Sequence, residues 1–204
     1  MASRIIHYII ALQILEGCNL DRNDFILGNL LPDAHDGTLY GNSHSHFRYI
    51  INGEYTKLPE LEYVRFKKKY SDYLGNSLFL GYYCHLLSDH KWSQLKIPGF
   101  PNDINNDTEE FLTLRKLLHK DYGTLNRHLI HYYKLSPPQL LVTPNEIIIT
   151  EICKANIPLV LNGLGLDFNS VGGDELHMLT LDFIVNYIRD TVTFCLENIQ
   201  LPCR

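Results

Sequence analysis

The stretch GYYCHLLSDHKW, Gly81 to Trp92, carries His85 and Asp89 four residues apart inside a run that is otherwise almost wholly apolar and aromatic. Residues four apart lie one turn above each other on a single helix face. His85 and Asp89 therefore share a stripe with Leu78, Tyr82 and Trp92, while Phe79, Leu80, Tyr83 and Leu87 cover the remaining faces. A helix apolar on nearly every side is buried on nearly every side, and an ionised carboxylate there is costly unless it is paired, hydrogen-bonded or bound to a cation. A polar pair satisfied inside a helical core meets that condition, and so does a metal ion. Taken alone, the HxxxD spacing is common, and the satisfied pair is the plainer reading.

Working outward, apolar residues recur with helical rather than alternating spacing nearly everywhere, so the expected class is all-α. The pattern predicts helices over Ser3–Glu16, Asp24–Leu30, Pro59–Ser71, Ser77–Gln94, Thr108–Leu135, Pro144–Leu161 and Glu175–Asn198. Turn-rich segments such as LPDAHDGTLYGNSHSH, KIPGFPNDINND and LSPPQLLVTPN separate them, rich in the residues that stop helices. A chain of 204 residues with 45% hydrophobic content fits one multi-helix bundle, residues 1–204, with a sizeable core.

Composition excludes some partners. The net charge is −5, and the basic residues are scattered apart from Lys67–Lys69, so nothing resembles a footprint for duplex DNA and no nucleic acid is expected as an obligate partner. Five cysteines, Cys18, Cys84, Cys153, Cys195 and Cys203, are widely spaced with no CxxC pair, the usage of free thiols in a reducing cytoplasm. The apolar stretch RIIHYIIALQIL is broken by His7 and Gln13 and lacks a small-residue cleavage site. It also falls short of the roughly 20 residues a membrane span needs. The expectation is a soluble, cytoplasmic protein with no transmembrane segment.

Other polar residues extend the constellation around His85 and Asp89. His7 lies on one stripe with Ile10, Ala11, Ile14 and Leu15 and so faces inward; a core histidine bonded to a carbonyl explains it equally. Asp33 follows a proline in GNLLPDAHDG, near His35 and Asp36, where ordinary turn chemistry is the plain alternative. NSHSHF offers His44 and His46, two residues apart and on the same side if extended; exposed loop histidines are the alternative there. Together with His85 and Asp89 these residues make a mixed nitrogen and oxygen set. Histidine and carboxylate ligation with room for water is the catalytic zinc pattern, whereas structural zinc is usually closed off by cysteines.

In this order, a histidine in the first helix, GNLLPD, SHF and LGYYCHLLSDHKW resemble the bacterial zinc-dependent phospholipase C family, over about Met1 to Trp92. That family is all-helical, related to the S1/P1 nucleases, and hydrolyses phosphoesters with clustered zinc ions. The resemblance implies that Asp33, His46, His85 and Asp89 hold one zinc and that His7 holds a second, with Asp89 bridging. His46 is preferred to His44 because it directly precedes Phe47. Two departures stand out. The secreted members use an N-terminal tryptophan as a ligand, where this chain reads Met1-Ala2-Ser3; and a further zinc needs a histidine where this chain has Leu95. The expected cofactor is therefore two zinc ions rather than the family's full set.

Asp121 and His128, on one face of the long predicted helix with Leu117, Leu118 and Leu125, are second-tier candidates with His44; a polar edge on an amphipathic helix explains them equally. His90, His131 and His177 read as surface or packing residues. Arg4, Arg48 and Lys91, beside the motifs, are candidates to hold phosphate, though solvated surface charge is the plainer role for each. The reading that follows is a zinc-dependent hydrolase acting on a small phosphoester or a phospholipid head group, with Asp33 and Asp89 catalytic: two cations activate water, and Asp33 orients or deprotonates it. The alternative is a catalytically inactive metal-binding helical scaffold or an interaction protein.

Overall fold

The computed structural model describes residues 2–51, 54–56, 59–100, 108–169, 173 and 175–199. Its helices begin where the sequence supplies caps. In α1 (Arg4–Gly17), Ser3 accepts a hydrogen bond from the Ile6 N–H and donates one of 2.7 Å to Asn126, tying the first helix to the sixth. Asp21 caps α2 (Arg22–Leu30), accepting from the Asp24 N–H at 2.8 Å, and a 3₁₀ turn at Leu31–Asp33 follows with Pro32 inside it. Acidic residues open α4 (Pro59–Lys69) and Lys67, Lys68 and Lys69 close it, matching the helix dipole. Asn76 caps α5 (Ser77–Ser93), and Thr108 caps α6 (Glu109–Tyr132). The last two helices are α7 (Ile157–Phe168) and α8 (Leu181–Ile199).

The helix α5 is the centre of the bundle, as its all-round apolar surface requires. It packs against α1, α2, α4 and α8, and every residue from Phe79 to His90 is buried. On one side Tyr82 stacks flat on Phe66 of α4, ring centres 4.7 Å apart and planes 2° from parallel. On another, two glycines let α2 approach more closely than any side chain would permit. A β-carbon at Gly28 would overlap the Leu78 backbone carbonyl, and one at Gly81 would overlap that of Phe25. Across this contact Asn29 donates to the Gly81 carbonyl at 3.2 Å.

The structure is all-α, and it departs from the expected elements at four places. First, the segment read as a loop contains α3 (Leu39–Ser45), capped by Thr38. Second, a two-stranded antiparallel ribbon follows it, β1 (Tyr49–Ile51) and β2 (Glu54–Thr56), with Ile50 opposite Tyr55; it is the only β-structure among the described residues. Third, the helix expected over Pro144–Leu161 is not formed as one element. Ile147 and Ile149 are buried and Ile148 is 49% exposed, the alternation of extended chain. The helix starts only at Ile157, because a proline is tolerated in a first turn and not in an interior. Fourth, α8 begins at Leu181 rather than at Glu175. No helix among the described residues is long and apolar enough to cross a membrane.

The glycine contact makes a directional prediction. Gly81→Ala forces backbone apart at the α2–α5 crossing and should cost about 1–3 kcal/mol, as overpacking does. Gly165→Ala, on α7 with nothing near its added methyl, should instead raise stability by roughly 0.5–1 kcal/mol. Urea unfolding of both variants checks the opposite signs.

Candidate metal centre

Three helices and a turn deliver the residues of the cluster. His7 comes from the second turn of α1, Asp33 from the 3₁₀ turn after α2, His46 from the C-cap of α3, and His85 and Asp89 from successive turns of α5. His7, His46 and His85 are almost wholly buried and Asp89 is 8% exposed; Asp33 is half-buried. Two overlapping groups result, His7 with His85 and Asp89, and Asp33 with His46 and His85. In each, the ligand atoms lie within 4.8 Å of one another.

Hydrogen bonds settle which ring nitrogens carry protons. His85 Nδ1 is 2.8 Å from the Asn29 carbonyl, which only accepts, so Nδ1 holds the proton and Nε2 presents a lone pair. His46 repeats the arrangement, Nδ1 donating to the Asn42 carbonyl at 2.9 Å. Both Nε2 atoms are buried without a hydrogen-bond partner. They face the same Asp89 oxygen, at 3.6 Å from His46 and 3.7 Å from His85. His7 lies flat on the His85 ring, centres 3.9 Å apart and planes 8° from parallel. Its Nε2 is 3.6 Å from the other Asp89 oxygen, beyond hydrogen-bond length. Neither of its ring nitrogens has a partner.

Charge in the cluster is set by burial. Loss of water drives the His85 imidazole down to about 3, with neighbouring His7 adding to the shift. Burial lowers His46 as well, against the opposing charge of Asp89. Burial alone would raise the Asp89 carboxyl, but a proton on His7, and after it one on His85, holds it well below the usual carboxylate range. At neutral pH two lone pairs therefore converge on an ionised carboxylate, an arrangement of acceptors against an acceptor that a cation relieves. Ligands on one zinc with arms of about 2.0–2.2 Å stand roughly 3.3–3.6 Å apart, close to the spacing found here. The donor set of imidazole nitrogens and carboxylates fits a borderline divalent ion, and the backbone carbonyls behind His46 and His85 supply the outer hydrogen bonds that orient such ligands.

The choice between the two neighbouring histidines follows from how α3 ends. Phe47 adopts left-handed backbone (φ 58°). Its N–H bonds to the His44 carbonyl and the Arg48 N–H to that of Ser43, both at 3.0 Å, the paired bonds of a Schellman cap. That cap buries His46 and Phe47 and leaves His44 exposed, stacked on Tyr40 outside the cluster. His35 and Asp36 serve the turn, bonding the Gly37 and Thr38 N–H groups.

Two further candidates lie outside both groups. Asp121 is buried and fully used by the segment before α8. It accepts from the N–H groups of His177, Met178 and Leu179 at 2.8, 2.7 and 2.9 Å and from the His177 ring at 2.9 Å. His128 is half-buried on α6. His177, read from the sequence as a surface or packing residue, bonds Asp121 through its ring. Of the basic residues beside the motifs, Arg4 pairs with Asp167 through two bonds of 2.9 and 3.2 Å, and Lys91 stands over the Phe194 ring. Arg48 is buried with its Nε 3.9 Å from Glu62. Sequence reasoning missed Asn29 and Asn42, because they act through backbone carbonyls, which any residue offers.

Comparison of the chain with protein-family models, with curated proteins and with solved structures gave no match.

Asp121 yields a pH prediction. Burial works to raise its carboxyl, yet the bonds from Met178, His177 and Leu179 hold it below the ordinary Asp value. The native state thus binds this proton less readily than the unfolded chain. The stabilisation is complete above about pH 4 and is lost as pH falls through the native value. Asp121→Asn should cost about 2–3 kcal/mol at pH 7 and flatten the acid limb of stability against pH, measured by urea midpoints between pH 2 and 7.

Proposed function

We propose that the cluster is a divalent metal centre, zinc by its donor set, and that the protein is a metal-dependent phosphoester hydrolase resembling the zinc-dependent phospholipases C. One observation carries the reading: buried, unpartnered Nε2 atoms of His46 and His85 aimed at one ionised Asp89 oxygen. A bound cation would supply Lewis-acid activation of water and neutralise charge on phosphoryl oxygens. Asp89 faces His7 with one oxygen and His46 and His85 with the other, so it would serve both ions if two were bound. Asp33 alone among the five is half-exposed, and it is assigned to orient water and take its proton. The described cysteines, Cys18, Cys84, Cys153 and Cys195, are all free thiols, in keeping with work in the cytoplasm.

A metal-holding scaffold without turnover is the second reading, favoured by the near-complete burial of His7, His46 and His85. Two measurements separate the classes. Elemental analysis of protein purified without chelator should give about two zinc ions per chain, one for Asp33, His46, His85 and Asp89 and a second for His7, with Asp89 shared. Asp89→Asn and His46→Ala should lose metal, together with the roughly 4 kcal/mol that saturating zinc adds to stability at a thousand times its Kd. His44→Ala should keep both. A metal content near zero that added zinc does not restore sinks the metal reading.

The second measurement is turnover. Aryl phosphodiesters or phosphomonoesters should be hydrolysed, with activity rising through about pH 7, where a catalytic zinc brings the ionisation of water, and chelator should abolish it. A zinc-replete sample inert toward aryl phosphoesters, short single-stranded nucleic acids and phosphatidylcholine leaves the scaffold in place.

A further inference from the structure

Beside the cluster lies a cavity of about 650 Å³ whose wall includes Arg48, Arg65, Lys69, Glu151, Tyr40 and Tyr49. The chain itself joins the two. His44, Phe47 and Arg48 line the cavity, and His46 between them turns the other way, into the cluster. Arg48 stands two residues beyond His46, its side chain on the cavity wall, so one short piece of chain connects both spaces.

The cavity is cationic in a specific way. Lys69 is matched by Glu151, with which it forms an ion pair, and Glu62 stands behind Arg48. Arg65 is different. It is exposed, and one terminal nitrogen donates to the Phe47 and Arg48 carbonyls at 3.0 and 2.6 Å. Its guanidinium carbon lies 4.4 Å from the centre of the Tyr49 ring. Among the described residues no carboxylate pairs with it. A planar fork held in place by two carbonyls and a ring, with donors left over, is suited to bidentate binding of phosphate or carboxylate.

We propose that this cavity binds a second anionic group of the substrate, a phosphate or carboxylate apart from the ester that is cleaved, with Arg65 as its principal contact and Arg48 between it and the cluster. The substrate class is thus a phosphoester that carries at least two anionic centres. A trimethylammonium head group is excluded, since such a group needs aromatic faces free of competing cations and would meet Arg48, Arg65 and Lys69 here. The inference rests on the hydrolase reading for its meaning, but the anion site exists with or without metal.

The test uses the 204-residue protein stripped of metal, its fold verified by circular dichroism, so that the anion probe has no cation to chelate. Pyrophosphate and phosphocholine are each titrated calorimetrically at low ionic strength, with zinc content measured separately on the untreated protein. Pyrophosphate should bind, phosphocholine at least tenfold more weakly. Arg65→Gln should weaken pyrophosphate at least tenfold, and Arg65→Lys by less. Lys69→Met, with its thermal unfolding checked, leaves the Glu151 carboxylate uncompensated in the cavity; it gives a second reading should Arg65→Gln not fold, and should weaken pyrophosphate at least threefold. Overturning results are no pyrophosphate binding by the wild type, unchanged affinity in a folded Arg65→Gln or Lys69→Met protein, or phosphocholine binding as tightly as pyrophosphate. Any of these in a protein that holds zinc removes the anion site and leaves the metal centre. Normal pyrophosphate binding in a protein that never holds zinc does the reverse.

Discussion

The contact on which the rest depends is the crossing of α2 over α5, backbone against backbone at Gly28 and Gly81. Dispersion falls away within an ångström or less of separation, and no larger residue would leave room for this approach. Its effect goes beyond packing. It brings the Asn29 carbonyl to 2.8 Å from His85 Nδ1, which fixes the tautomer and ring direction of a residue at the middle of the cluster. It also fixes where the turn after α2 emerges, and with it Asp33.

From that point the cluster is an electrostatic problem with a narrow set of solutions. Buried imidazoles favour their neutral forms, so the charge of Asp89 is not answered by a full cation from His46 or His85. Proteins seldom leave a buried carboxylate facing lone pairs. His7 stacked on His85 completes a wall of nitrogens with no partners of their own. The Nε2 atoms of His7, His46 and His85 stand 3.6, 3.6 and 3.7 Å from Asp89, longer than hydrogen bonds.

The surroundings are built to hold that geometry. Phe47 accepts left-handed backbone, which costs a residue with a side chain about 1–2 kcal/mol, and its ring is buried edge-on against Phe66 and Tyr82. Arg65 ties down the carbonyls of Phe47 and Arg48, and Tyr82 donates to the Ser45 carbonyl. The end of α3 is thereby held from both sides, and His46 with it. The strain sits beside the cluster, where over-determined backbone usually serves function.

The sequence by itself determined the helical class, the central burial of α5 and the inward aim of His7, His85 and Asp89, because each rests on a local period of 3.6 residues that short-range geometry imposes. It left Asp33 and the two loop histidines as candidates, and it supplied the glycines without saying what they touch. Tertiary structure decided the remainder. His46 rather than His44 turns inward because a Schellman cap reverses the chain at Phe47, a bond pattern with no glycine in the sequence to announce it. Residues 147–149 alternate in and out because the core demands it of an apolar run that reads equally well as helix. Asp121 serves the backbone of residues 177–179 because that distant segment comes to lie across α6. These outcomes depend on which surfaces meet, and only the packed chain specifies that.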